Sequence, residues 1–245
     1  MTIRVLLRRL LLALVGAAAI YLGAQWTVLR AEPRSNVQVI AHRGGLGQAP
    51  EGTMTAFRSA IEAGADWIEF DVRLTSDGVP VVMHDATVER TTSARGAVAD
   101  LTLQELRRLD AGDGNPIPTL EGVLALGVDA GVGLLPEAKE GHLYPGLVEA
   151  MIEVITAAGA RHVTVVQSFD ADTLERFRAL APDLRLCALY GTFRFDLTRP
   201  PADAEFVCPM AEMVLINPAM IRAAHGDGRT VFVWFGPTDS EPAYR

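Results

Sequence analysis

Between Val37 and Phe235, short β-branched apolar runs alternate with stretches whose apolar residues return every three or four positions. That is the signature of strands alternating with amphipathic helices. It predicts strands over Val37–Ala41, Trp67–Leu74, Val79–Met83, Gly133–Ala138, Val163–Ser168, Leu186–Tyr190, Met213–Ile216 and Thr230–Phe235. Helices are predicted over Thr53–Ala63, Leu103–Leu109, Leu120–Leu126, Gly146–Ala158, Ala171–Leu180 and Pro218–Ala224, with Thr102 and Glu105 spaced as a capping box. Strands and helices in this order make an α/β domain with a parallel sheet and crossover connections. One pair departs from the scheme. Asp77-Gly78 between two strand-like runs signals a β-hairpin, whose antiparallel register would set His84 opposite Glu69 or Asp71.

The N-terminus follows a different pattern. Leu10 to Leu29 carry no charge, long enough as a helix to reach about the 30 Å of a hydrocarbon core, and Arg4, Arg8 and Arg9 precede them. Residues 1–30 therefore read as a transmembrane anchor or, through the small residues Ala17-Ala18-Ala19, as a cleaved signal segment. Either reading exports the domain. Residues 31–36 are the expected linker, and residues 37–245 the single domain that a chain of 245 residues can build around one core.

The formal net charge of −8 and pI near 5.1 argue against a nucleic-acid partner, whose phosphates demand a basic face. Any anionic substrate must meet local positive charge instead. Cys187 and Cys208 are the only cysteines, so a cysteine-built zinc site is excluded, and the pair is either one disulfide or two buried thiols.

The candidate chemistry sits at strand ends. His42-Arg43-Gly44, Glu69-Phe70-Asp71, His84-Asp85 and Glu137-Ala138-Lys139 each close an apolar run, and parallel strands bring their carboxyl ends to one rim. Glu69 and Asp71 lie two apart on a strand and so share a face, where two like charges are tolerable only with a cation between them. With Glu137 they form an oxygen-only donor set for one hard divalent ion, Mg²⁺ or Ca²⁺. His42 and His84 suit an acid/base pair at neutral pH, Arg43 and Lys139 suit contacts to a phosphate, and Trp234 is expected to line the pocket. His142, His162 and His225 read as surface residues.

Together these segments, with Pro50-Glu51-Gly52-Thr53, Asp77-Gly78, Pro118-Thr119-Leu120-Glu121 and the strand ending at Trp234, resemble the glycerophosphodiester phosphodiesterase family. The resemblance implies a TIM-barrel-like (β/α) fold, metal ligands Glu69, Asp71 and Glu137, acid/base residues His42 and His84, and phosphate contacts Arg43 and Lys139. It also implies hydrolysis of a small glycerophosphodiester to glycerol 3-phosphate and an alcohol, in phospholipid turnover. Alternatives are a phospholipase D-like enzyme acting on intact phospholipid and a catalytically silent, membrane-anchored binding protein. Two departures stand out. Gly52 replaces the family's usual Asn, which removes a hydrogen bond at the metal or substrate, and the sequence ends at Arg245 without the family's closing helix and strand, so the barrel is expected to be incompletely closed.

Overall fold

In the computed structural model, which describes residues 37–45, 49–191 and 197–235 together with positions 8, 9, 11–17, 19, 21 and 23, eight strands form one sheet. Seven are parallel and follow one another in sequence order: β1 (Ile40–Ala41), β2 (Trp67–Leu74), β4 (Gly133–Ala138), β5 (Val165–Ser168), β6 (Arg185–Tyr190), β7 (Phe206–Pro209) and β8 (Thr230–Val231). The remaining strand, β3 (Pro80–Val82), folds back antiparallel on β2. Longer helices lie between the parallel strands: α1 (Met54–Glu62), α3 (Leu120–Ala130), α4 (Leu147–Ala157), α5 (Ala171–Leu180) and α7 (Ala219–Gly226). A short α2 (Leu103–Leu106) begins at the predicted capping box, where Thr102 and Glu105 cap each other. This is a curled parallel half-barrel. Among the described residues β1 and β8 each pair on one side only, so the sheet stays open between them, as expected.

Three apolar clusters hold the sheet in place. The largest packs the outer strand faces against the helices, with Phe57, Phe70, Leu124, Leu134, Met151 and Phe177 fully buried. A second sits under the β2–β3 hairpin. The third fills the concave side, where the Trp67 ring meets Phe232 at 5.2 Å and Phe206 at 6.5 Å between centroids. Trp67 and Phe206 open their strands and Phe232 follows β8, so the three rings floor the half-barrel and leave the opposite rim for polar groups. The floor also explains a glycine: a Cβ on Gly133 would stand 2.1 Å from the Trp67 ring.

The structure corrects three expectations. Met213–Ile216 is not a strand but part of α6 (Ala211–Ile216), which buries Ala211 and Met213 and exposes Leu215. A short apolar run carries no period that separates strand from helix. The strand is the preceding run Phe206–Pro209, equally short and ended by proline. In the hairpin, Met83 N–H donates to Asp71 O at 3.0 Å, so Met83 rather than His84 stands opposite Asp71, a slip of one residue. Finally, β1 is only two residues long, because Val39 spends its N–H on the Asp66 carboxylate.

Cys187 and Cys208 form a disulfide between neighbouring strands β6 and β7, so the first of the two readings of that pair holds. Of the apolar N-terminal run, the described positions are helical, and among the described residues no helix is long and apolar enough to cross a membrane. The rest of Leu10–Leu29 and the linker 31–36 lie outside the described residues.

The Trp67 floor gives a direct test of the packing. Gly133→Ala forces a methyl group into the ring, and unfolding measurements should show a loss of about 1–3 kcal/mol, the usual cost of overpacking a core. Unchanged stability would mean that the floor is loosely packed.

Candidate active site

Parallel register builds the acidic cluster. Asp71 of β2 is paired with Glu137 of β4, and Glu69 lies two residues back on the same face of β2. The three carboxylates are 3–6 % exposed, and one oxygen from each lies within 4.8 Å of the others. Gln167, in register with Glu137 on β5, donates from Nε2 to Glu69 Oε1 at 3.0 Å.

Positive groups close over this cluster. Lys139 Nζ is 3.1 Å from Glu137 Oε1 and 3.4 Å from Asp71 Oδ1, placed by the same strand that carries Glu137. Arg43 donates its backbone N–H to Glu69 Oε2 at 2.9 Å, and its Nε stands 3.7 Å from Asp71 Oδ2. That backbone contact depends on an uncommon turn: Arg43 is left-handed at φ 51°, and Gly44 follows at φ 84° with no room for a Cβ against Ala56 and Phe57. His42, at the start of the turn, puts Nε2 3.7 Å from Glu69 Oε2.

His84 arrives from the far side of β2. Just past the hairpin ladder, its carbonyl is gripped by the buried Arg73, whose Nη2 and Nε donate at 2.8 and 3.0 Å. Its ring Nδ1 lies 2.6 Å from Asp85 Oδ1. An ionised carboxylate only accepts, so Nδ1 carries the proton of a neutral ring and Nε2 is left for chemistry. His84, Asp71, Arg43, Glu51 and Gly52 line one narrow cleft. At Gly52, φ is 67° and a Cβ would meet Val82 Cγ1 at an ordinary 3.5 Å, so the space that the missing Asn side chain would enter is open at its root.

The electrostatics follow from burial. Desolvation, reinforced by the charge of Asp71, pushes the Glu69 carboxyl up to about 8 against the opposing pull of Arg43 and Lys139. The same two causes raise Glu137 to about 8, opposed mainly by Lys139. Burial alone would lower Lys139, but Glu137 and Asp71 outweigh it and hold the ammonium charged. Burial also lowers His84, more than Asp71 and Asp85 raise it. Three buried carboxylates with only oxygen donors fit a hard divalent cation, whose concentrated positive charge would keep Glu69 and Glu137 ionised at neutral pH.

The structure therefore brings together seven of the eight residues singled out in the sequence: His42, Arg43, Glu69, Asp71, His84, Glu137 and Lys139. Trp234 is different. It bridges to Met210, donates Nε1 to Cys208 O at 3.0 Å and meets the Phe169 ring edge-on at 5.5 Å, contacts that join it to the rim rather than to the acidic cluster. His142, His162 and His225 are exposed, as read. Missed were Gln167, Asp85 as the partner of His84, and Arg73. A polar residue inside each apolar strand was the available signal for Gln167 and Arg73.

A parallel α/β half-barrel with a buried cation cradle and two flanking imidazoles on its carboxyl rim belongs to the TIM-barrel-like class. The profile of the Glycerophosphoryl diester phosphodiesterase family matches residues 42–241. The chain belongs to that family. It is 43% identical over 160 residues to a glycerophosphodiester phosphodiesterase of Caldanaerobacter subterraneus subsp. tengcongensis, a match spanning 62% of this chain and 66% of that protein. Among solved structures, a glycerophosphodiester phosphodiesterase from Agrobacterium tumefaciens str. C58 aligns with TM-score 0.73 at 27% identity, over 83% of this chain and 89% of that one. An Oleispira antarctica phosphodiesterase, solved in complex with the product sn-glycerol-3-phosphate, aligns with TM-score 0.73 at 28% identity over 81% and 84%.

The raised carboxyl groups have a measurable consequence. Between about pH 4.5 and about 8 the native protein without metal holds protons on Glu69 and Glu137 that the unfolded chain has released. The native state binds more protons, so this contribution to stability is full at low pH and is lost as pH rises through the window. A divalent cation held by the three carboxylates would take the place of those protons, and the rise in Tm on adding Mg²⁺ or Ca²⁺ should then grow from pH 5.5 to pH 8. A metal-induced rise that is flat across this range would contradict the electrostatics described here.

Proposed function

We propose that the chain is a metal-dependent hydrolase that cleaves glycerophosphodiesters to glycerol 3-phosphate and an alcohol, with Glu69, Asp71 and Glu137 as ligands of one Mg²⁺ or Ca²⁺. The observation that carries this reading is the meeting of three buried carboxylates with two imidazoles and the side chains of Arg43 and Lys139 on one rim of the sheet. The family's product-bound relative supports the substrate class.

Each residue then has one task. A divalent ion bound by the three carboxylates would supply Lewis-acid polarisation of a phosphoryl oxygen. Lys139 and Arg43 hold the remaining charged oxygens by charge-assisted hydrogen bonds. His84, kept neutral by burial and oriented by Asp85, takes a proton from the attacking water as its oxygen bonds to phosphorus. His42, whose Nε2 faces the Glu69 carboxylate, gives a proton to the alcohol oxygen as its bond to phosphorus breaks. One imidazole gains what the other loses.

We place the reaction in phospholipid turnover on the extracytoplasmic side of a membrane, tethered through the apolar segment 1–30 or exported by it. The Cys187–Cys208 disulfide supports an oxidising compartment, and the arginines before the apolar run support this orientation.

The test is a hydrolysis assay on glycerophosphocholine and glycerophosphoethanolamine with and without Mg²⁺ or Ca²⁺, products read by mass. His42→Ala and His84→Ala should each lower kcat by about 100-fold or more, as removal of an acid/base group does, while metal still raises Tm. Glu69→Ala should lose the metal-induced rise as well. Turnover of intact phospholipid would favour the phospholipase D-like alternative, and binding without turnover would favour a silent binding protein.

A further inference from the structure

Arg90 has no part in the roles above, yet its side chain is committed to the site. It lies on the segment that follows the His84-Asp85 turn, and its charged end is directed at two carboxylates from different loops. Nε donates to Asp85 Oδ2 at 2.6 Å and Nη2 to Asp85 Oδ1 at 3.3 Å. On the other side Nη1 donates to Glu51 Oε2 at 2.9 Å and Nη2 to Glu51 Oε1 at 2.6 Å. Glu51 belongs to the loop after β1 and is itself braced by Arg43 Nη1 at 3.3 Å. Asp85 holds Nδ1 of His84.

A guanidinium is a flat, rigid fork, and its donors point in fixed directions. Serving both carboxylates at once sets where Asp85 can stand relative to the loop after β1. An ammonium group could attract the same carboxylates but could not fix their planes.

We propose that Arg90 is a positioning residue for the hydrolysis, which anchors Asp85 to Glu51 and thereby holds the His84 ring in one tautomer and one orientation. The proposal rests on the phosphodiesterase reading for its kinetic consequence, though not for its effect on the ring. Without Arg90, Asp85 still neighbours His84 but turns freely, and the imidazole can flip or exchange its proton between nitrogens. The loss then falls on proton transfer rather than on substrate or metal binding. An ordinary surface ion pair, by contrast, would leave turnover untouched.

Arg90→Ala and Arg90→Lys, compared with the full chain, test this in two ways. Steady-state hydrolysis of glycerophosphocholine with Mg²⁺ should show kcat lowered about tenfold or more in both variants, as loss of a residue that orients a site histidine does, with KM within about twofold of wild type. Added guanidinium chloride at millimolar concentration should restore part of the activity of Arg90→Ala and none of that of Arg90→Lys. Independently of turnover, ¹⁵N ring signals of His84, assigned against His84→Gln, should report Nδ1–H in the wild type and a mixture of tautomers in Arg90→Ala. Wild-type kcat together with an unchanged ring signal would overturn the proposal. So would a loss of activity that tracks a lowered Tm while the ring signal stays put. If the wild type hydrolyses no glycerophosphodiester, the functional reading fails, and the ring signal alone decides the role of Arg90.

Discussion

Three negative charges are gathered where water is scarce, and the rest of the site is arranged to make that tolerable. The gathering is a matter of backbone register: parallel pairing sets Asp71 beside Glu137, and the two-residue period of β2 adds Glu69 to the same face. A slip of one residue between β2 and β4 would turn one strand's carboxylates to the outer face, where Phe70, Leu134 and Ala138 now pack under the helices. The apolar packing outside the sheet therefore fixes the chemistry inside it. Lys139, Arg43 and Gln167 are the answers to the resulting field, and each is delivered by a strand or turn adjoining the acidic strands.

The scaffold manages with an open sheet because its interior is closed from below. Trp67, Phe206 and Phe232 stack across the concave side, linking the second strand to the last two, and the disulfide ties β6 to β7 beside them. Covalent and aromatic contacts thus bind the later strands to the half that carries the acids. The two histidines, in contrast, reach the site from loops. His42 is set by the left-handed turn at Arg43, and His84 by Arg73 beneath its backbone and Asp85 beside its ring. Loops carry the two imidazoles, and neighbouring side chains hold them in place.

Much of this was legible in the chain itself. Trp67–Leu74, Gly133–Ala138 and Ala171–Leu180 have the ends that the sequence predicts, because turn-forming Asp, Gly or Pro residues flank each one. The ionisable residues carried by the two strands announced the site. Much of what escaped depends on partners distant in sequence. The Phe206–Pro209 strand is too short to carry a period, and its identity comes from pairing with β6. The hairpin register was misjudged by one residue, because turn composition does not set how far the ladder runs. The bond from Gln167 to Glu69 spans 98 positions, and no local pattern points to it. Cysteine spacing likewise left the disulfide open until the two strands were side by side.

The central claim is that Glu69, Asp71 and Glu137 share one divalent ion. The most direct measurement is anomalous diffraction from crystals of the protein soaked in Mn²⁺, an ion with the oxygen preference of Mg²⁺. One strong peak is expected within bonding distance of all three carboxylates. A peak elsewhere, or none at that point in crystals whose three carboxylates are ordered, would contradict it.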